Sequence, residues 1–339
     1  MAKIAIVGMG LIGTSLGLAL REQTAKGLEL VGTDKEYDHA IKAQKMGAID
    51  KATRALRDAV DDAAMVIIAT PLLAIREILE AIGPRLRPGC VVTDTGSTKG
   101  VVLQWAAEYL PSEVSFVGGH PLTGKETSGP EAAEAALFQD KLYCVIPSPS
   151  AQKEAVKSVI DLVSSIGAKP YFVDPVEHDS YIAAVSHLPL LLSVALVGTV
   201  SKSPGWGDLA QVASSGFRDI SRLASGDPVM GRDICVTNPD NIVHWIDAFI
   251  KELYEFRSLI QSDGEELVKA FDNAWEARER WLAGKVSIGA RPTPGVEVPS
   301  FTDRVGEMFI GHRLMEMQKR MMKDTRRTKE GKDKGTQGS

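Results

Sequence analysis

An α/β protein, with a doubly wound sheet first and an all-helical domain after it, is what the sequence predicts, and three observations carry that expectation. Apolar strand-like runs alternate with helical patterns from the N-terminus to about Asp174. The first of these runs ends in a glycine-rich turn that opens a helix. From His178 onward the pattern is helical throughout.

Composition narrows the function classes. A chain of 339 residues, 44% hydrophobic and 24% charged, has room for two domains with a sizeable core. A net charge of −5 gives no general attraction to nucleic acid or to an anionic membrane, so small-molecule chemistry is expected, with no nucleic-acid partner. Three scattered cysteines make neither a disulfide framework nor a zinc site, which predicts a reducing compartment and no metal. Met1-Ala2-Lys3 leads into a strand rather than a signal peptide, and no apolar run is read as reaching the ~18 residues of a membrane span. A cytoplasmic location without a membrane partner is the expectation.

Lys3 to Val7 is apolar enough for a strand buried on both faces of a parallel sheet. Gly8-Met9-Gly10-Leu11-Ile12-Gly13 follows, then a run from Thr14 to Arg21 with helical spacing. In a dinucleotide-binding turn the first glycine bends the chain, the second admits the pyrophosphate, and the third lets helix and strand approach. A plain glycine turn is the alternative. Against it stands a second strand, Leu28 to Thr33, ending in Asp34 at about the 20-residue spacing of the fingerprint. A carboxylate there accepts hydrogen bonds from ribose hydroxyls and repels a 2′-phosphate, so NAD is expected over NADP, with Lys35 tempering the preference.

Further strands are expected at Met65 to Ala69, Val91 to Asp94, Ser115 to Val117, Leu142 to Ile146 and Pro170 to Val173. Helical patterns fall at Leu72 to Ile82, Gly100 to Tyr109 and Gln152 to Ile166. Ligands of doubly wound sheets bind outside the carboxyl ends of the strands. That singles out Thr70-Pro71, the stretch Thr95-Gly96-Ser97-Thr98-Lys99, and the segment around His120, all expected to face the nicotinamide end of the cofactor.

The stretch Phe116 to Pro130 holds Gly118, Gly119, His120 and Pro121, and its Gly124 and Gly129 rule out a regular helix, so His120 is expected on a loop that presents it. A histidine takes up a proton near neutral pH, as a general base must; the plainer reading is a strand-end cap. Ser97 is the expected partner of His120, able to orient an imidazole and to bond a substrate hydroxyl. It can equally cap the helix beginning near Gly100.

Asp179 to Thr199 is almost continuously apolar, which predicts a central helix buried on every side, in a helical domain or a dimer core, with a kink at Pro189. His187 near its start reads either as a ligand-binding group or as a satisfied core histidine. Arg218 and Arg222 are four apart and share a helix face, so they could receive carboxylates bidentately or, with Asp219, form a solvated face. Helices at Ile242 to Gln261 and Glu265 to Leu282 carry stripes such as Trp245, Phe249, Leu253, Phe256 and Ile260 that suit a core or subunit contact. Beyond Gly289 come a linker, a Met-rich amphipathic helix and a basic tail expected to be disordered.

These motifs together resemble the prephenate and arogenate dehydrogenases of tyrosine biosynthesis. The likeness runs from about Lys3 to Leu282 and includes the glycine turn, Thr93 to Lys99, Gly118-Gly119-His120-Pro121 with Gly124-Lys125-Glu126, His178-Asp179, Ser186-His187-Leu188-Pro189, and Gly216-Phe217-Arg218-Asp219 on to Pro228. It implies a Rossmann-like dinucleotide-binding domain at 1–174 and a helical substrate and dimerisation domain at 175–288, with 289–339 as the linker, helix and tail. It also implies a homodimer. Carried over by position, the catalytic base falls on His120 and its hydrogen-bonding serine on Ser97. Arg222 receives a substrate carboxylate with Arg218 nearby, His187 joins the substrate site, and Glu126 and Asp219 shape the pocket entrance. The cofactor contacts fall on Gly8, Gly10, Leu11, Ile12, Gly13, Asp34, Thr70 and Pro71.

The implied reaction is NAD-dependent oxidative decarboxylation of prephenate to 4-hydroxyphenylpyruvate, with arogenate as the alternative substrate. Two positions depart from the pattern: Leu190 stands where relatives often have a second histidine, and Gly231 where they often have tryptophan. A roomier, less polar pocket is expected to use prephenate, tolerate arogenate and respond weakly to tyrosine. A reductase of related architecture and a non-catalytic NAD-binding sensor are the rival readings.

Overall fold

The structure, a computed structural model, describes residues 2–23, 27–125, 127–262 and 264–286. Glu126 and the linker, Met-rich helix and tail expected at 289–339 lie outside the described residues. The described residues up to Ser262 form one compact unit, and residues 264–286 fall in a second.

The first unit opens with β1 (Ala2–Val7), α1 (Leu11–Gln23), β2 (Leu28–Thr33), α2 (Tyr37–Lys45), β3 (Lys51–Thr53), α3 (Leu56–Val60), β4 (Met65–Ile68), α4 (Ala74–Ile82), β5 (Val91–Asp94) and α5 (Gly100–Tyr109). It continues with β6 (Ser115–Pro121), β7 (Leu142–Pro147), α6 (Lys153–Ser165) and β8 (Lys169–Phe172). The eight strands form one sheet in the order β3-β2-β1-β4-β5-β6-β7-β8. Every neighbouring pair is parallel except β6 and β7. The order reverses between β1 and β4, so the glycine turn after β1 and Thr70-Pro71 after β4 flank the crevice where such sheets take a ligand. The short β3, α2 and α3 carry too few apolar residues to declare themselves in the sequence.

Burial follows the expected periods. The four residues of β4 are all buried, as a strand covered on both faces requires. On α4, Ile75, Leu79 and Ile82 are fully buried at helical spacing and pack under β1, β4 and β5 with Val66, Ile68 and Val92. Each such side chain contributes roughly 1.5–3 kcal/mol by leaving water.

His120 lies within a strand, not on the expected loop. β6 pairs with β5 over Ser115 to Val117 and then runs on to Pro121 in an antiparallel ladder with β7, where His120 opposes Cys144. The glycines before it serve close packing rather than a turn. A Cβ on Gly119 would sit 2.5 Å from the Asp94 carbonyl oxygen and 2.8 Å from the Tyr143 hydroxyl.

Past β8 the chain is helical: α7 (Pro175–Ile182), a π turn (Ala183–His187), α8 (Leu188–Val200), α9 (Trp206–Val212), α10 (Ser215–Ser221), a 3-10 turn (Arg222–Ser225), α11 (Pro228–Thr237) and α12 (Pro239–Ile260). A π turn stands immediately before Pro189, where the sequence predicts a kink. Proline has no N–H to return to Val185, and the Leu188 N–H reaches back five residues to the Ala183 carbonyl, which widens the turn without breaking the helix. The continuous helix Pro175–Val200 is long and apolar enough to cross a membrane by length and composition, which corrects the sequence reading that no run reaches that length. Only 22% of its most apolar window is buried within this chain, so the burial on every side expected for it is not supplied by one copy. In the second unit, α13 (Gly264–Leu282) carries Val268, Phe271, Trp275 and Leu282 at helical spacing, all exposed.

Candidate active site

The glycine turn has the shape of a dinucleotide cradle. Gly8 has φ +96°, a left-handed conformation that glycine adopts without strain, and a Cβ there would run into the Ala69 backbone and the Thr70 side chain. A Cβ on Gly13 would strike the Gly8 carbonyl, so the third glycine lets α1 lie against β1. At Gly10 a Cβ would meet nothing within 4 Å, which leaves the backbone open to an incoming pyrophosphate. α1 begins at Leu11, so the free amides of Leu11, Ile12 and Gly13 sit at its positive end, with no acidic side chain in the first turn.

Asp34 ties this turn to β2. Its Oδ2 accepts from the Met9 amide at 2.6 Å and its Oδ1 from the Glu36 amide at 2.8 Å, with His39 Nδ1 3.5 Å from Oδ1. A carboxylate has about four acceptor positions, so capacity remains for ribose hydroxyls. The Thr70 hydroxyl donates to the Pro71 carbonyl at 3.3 Å. These residues fit NAD.

Beside the crevice, a buried ion pair locks β5, β6 and the loop between β5 and α5. Lys99 Nζ bonds to Asp94 Oδ2, and both side chains are fully buried. Lys99 Nζ also donates to the Gly119 carbonyl at 2.8 Å, while Asp94 accepts from the amides of Gly96 at 2.8 Å and Gly119 at 3.1 Å. Removing one partner would leave a charge stranded in the core, a loss of about 3–5 kcal/mol. The pair therefore fixes the backbone of Gly119, immediately before His120.

The His120 ring is held by the helical segment. Its Nδ1 lies 2.9 Å from His178 Nε2, the rings meeting edge to face at 73°. His178 is buried, and its Nδ1 lies 2.8 Å from Asp179 Oδ1. Asp179 in turn accepts from the amides of Lys99 at 2.7 Å and Gly100 at 2.8 Å, capping the positive end of α5 from outside that helix. Burial holds the His120 imidazole well below its ordinary pKa, and the charges of His178, Lys99 and His187 push the same way. The ring is neutral at pH 7, the form a base needs.

His187 closes the π turn, fully buried, with its Nδ1 3.4 Å from Asn238 Nδ2. Its Nε2 makes no hydrogen bond among the described residues. Burial lowers its pKa to about 4, against the opposing pull of Asp179. Asn238 also donates to the Asp179 carbonyl at 2.8 Å. Two further links join the strand-end loops to α11: the Leu73 amide donates to buried Asp233 at 3.2 Å, and Thr98 Oγ1 donates to Thr237 Oγ1 at 3.1 Å.

The structure thus gathers His120, His178, Asp179 and His187. The orienting bond expected from Ser97 comes instead from His178. Ser97 stays half-buried in the neighbouring loop, and the capping considered for it is performed by the Asp179 carboxylate. Arg218 in α10 and Arg222, which opens the 3-10 turn, are exposed, as is Asp219; this stretch packs on α8, the helix that follows His187. Asn238 has no place in the sequence expectations, while Lys99 stands there only as part of the loop near the nicotinamide and His178-Asp179 only as a motif without an assigned role. The available signal was a His-Asp pair at the polar start of an otherwise apolar helix.

A nucleotide cradle at the switch point of a doubly wound sheet, with a neutral histidine near the end of β6 in the same sheet, defines an NAD-dependent dehydrogenase. Residues 16–172 match the family model described as the nucleotide-binding domain of prephenate dehydrogenase, and residues 174–273 match that of its dimerization domain. A prephenate dehydrogenase of Bacillus subtilis (strain 168) is 35% identical over 309 residues, covering 90% of this chain and 83% of that protein. A cyclohexadienyl dehydrogenase of Zymomonas mobilis is 31% identical, covering 85% of this chain and 98% of its own. The crystal structure of prephenate dehydrogenase from A. aeolicus in complex with hydroxyphenyl propionate and NAD+ superposes with a TM-score of 0.77 at 32% identity, over 83% of this chain and 98% of that one. The chain belongs to the prephenate dehydrogenase family.

Proposed function

We propose that this enzyme oxidises and decarboxylates prephenate to 4-hydroxyphenylpyruvate, with His120 as general base. The observation that carries the reading is the His120 ring, kept neutral by burial and held at Nδ1 by His178. NAD, when bound, accepts the hydride that leaves the ring carbon bearing the hydroxyl. His120 removes the proton from that hydroxyl and Ser97 bonds to it. Arg222, with Arg218 beside it, receives a carboxylate, and His187, whose buried Nε2 makes no hydrogen bond among the described residues, joins the substrate site. Glu126 and Asp219 shape the entrance. Residues 1–174 serve the cofactor and 175–288 the substrate and a second copy. The exposed apolar residues Val185, Val194, Ile250 and Leu253 support a homodimer. A helix holding buried His178, Asp179 and His187 suits such a protein core better than lipid, which supports a cytoplasmic enzyme.

Arogenate is the second reading, and one observation favours tolerance of it: Leu190 packs among Ala183, Ile234 and Ile242, and Gly231 leaves open space. Neither offers a group that would be left unpaired by one substrate side chain. The test is kcat/KM for both substrates, with and without tyrosine, in the native chain and in His120→Asn. The native enzyme is expected to turn over both, and His120→Asn to lose ~10²- to 10⁴-fold in kcat with NAD affinity kept. Near-normal turnover in that variant would remove His120 from the chemistry.

A further inference from the structure

His120, His178 and Asp179 form a single file of hydrogen bonds whose direction is set by its far end. The Asp179 carboxylate already accepts two backbone amides at 2.7 and 2.8 Å, so it is the charged acceptor of the file. His178 Nδ1, 2.8 Å away, must then be the donor. A neutral His178 with its proton on Nδ1 has a bare Nε2, which can only accept, so His120 Nδ1, 2.9 Å away, carries the proton and donates. The lone pair of His120 is thereby placed on Nε2, which has no protein partner among the described residues. A free imidazole favours the opposite tautomer, so this placement is imposed by the neighbours.

The surroundings also say where a second proton rests most easily. Lys99 and His187 face the His120 ring, and both act against a positive charge on it. Asp94, which faces the same region, is engaged by Lys99 and by the amides of Gly96 and Gly119. Tyr143 and Cys144, on the β7 strand beside it, are held in their neutral forms by burial. Of the three histidines gathered here, His178 is the one hydrogen-bonded to a carboxylate among the described residues.

We propose that Asp179 and His178 set the tautomer of His120 and take over the proton it removes, so that His178 rather than His120 holds the positive charge. This rests on the reading of His120 as the base. The substrate hydroxyl gives its proton to His120 Nε2 as its C–O bond becomes a carbonyl and its ring carbon loses a hydride, which bound NAD would accept. Loss of the ring carboxylate as carbon dioxide then aromatises the ring and returns an electron pair to that oxygen, which takes up a proton as the phenol. The proton on His120 Nδ1 passes to His178 Nε2. His120 is left neutral, and His178 becomes an imidazolium paired with Asp179. His178 and Asp179 are positioning and proton-holding residues that need not touch the substrate.

Tautomers are read by ¹⁵N–¹H correlation spectra of the full-length protein labelled at its six histidines, with His120→Asn and His178→Gln assigning the two signals. The native protein is expected to show both rings protonated at Nδ1 and bare at Nε2. A native His120 protonated at Nε2 would overturn the proposal, and that measurement needs no turnover. His178→Gln can still accept from His120 Nδ1 but cannot hold a proton. It is expected to keep the His120 tautomer and lose about 10-fold in kcat, while His178→Leu loses the tautomer and about 100-fold, the span for removing a partner that orients a functional histidine. The KM for NAD should stay unchanged in both. Full kcat in His178→Gln would overturn the hand-over. Normal turnover in His120→Asn would instead sink the reading of the reaction while leaving the native tautomers as found.

Discussion

Two histidines in this site are kept neutral by burial, and that has a consequence for stability. His187 has its pKa lowered from 6.5 to about 4, burial being the largest cause. Between those values the unfolded chain binds a proton that the folded chain refuses, so stability falls as pH drops through this window and is fully present above it. The shift corresponds to a loss of roughly 3 kcal/mol by pH 4. His187→Gln is expected to flatten the dependence of the urea midpoint on pH between about 6.5 and 4. An unchanged slope would mean that His187 does not titrate as its burial dictates. His120 has the same sign, so the acid limb of kcat/KM is expected below the ordinary histidine range.

At the scale of elements, glycines of the same type face opposite demands. In β6 the backbone passes so near Asp94 and Tyr143 that a methyl group at position 119 cannot fit without moving them. Gly119→Ala is expected to cost on the order of 1–3 kcal/mol through overpacking and to displace His120, lowering kcat as well as the urea midpoint. In α11 a Cβ at Gly231 meets nothing, so Gly231→Ala should stabilise by about 0.5–1 kcal/mol through helix propensity. Denaturant titration of the two variants tests both. A neutral Gly119→Ala would show that the strand can give way there. The π turn is a third local device: Pro189 withholds one N–H, and the widened turn it leaves ends at His187.

At the scale of the whole molecule, apolar surface along α8 and α12 stays uncovered among the described residues, where Val194 is 49% and Leu253 54% exposed. Side chains like these stabilise a protein only if something removes them from water. A homodimer is the expected answer. Equilibrium sedimentation of the native chain should give twice the monomer mass, and its Tm should rise with concentration. Val194→Glu should weaken the association; a native chain that stays monomeric at micromolar concentration would remove this account.

What the sequence determined by itself is whatever local pattern controls: the buried strands, the glycine turn with Asp34 after the second strand, helix α5 over Gly100–Tyr109, and the helical second half. Those follow from periods of two and 3.6 and from where glycine must stand. Tertiary structure decided the rest. His120 reads locally as a loop residue because Gly118, Gly119 and Pro121 surround it, yet it lies in a strand because β7 returns to pair with it. Ser97 reads locally as the partner and cap, yet His178 and Asp179 take those roles from about 80 positions further along the chain. Lys99 reads locally as one residue of a loop facing the cofactor, yet its side chain is turned inward and enclosed by Asp94 and Gly119. Hydrogen bonds between residues so far apart leave no periodic trace, because their partners are chosen by how the helical segment docks on the sheet and not by spacing along the chain.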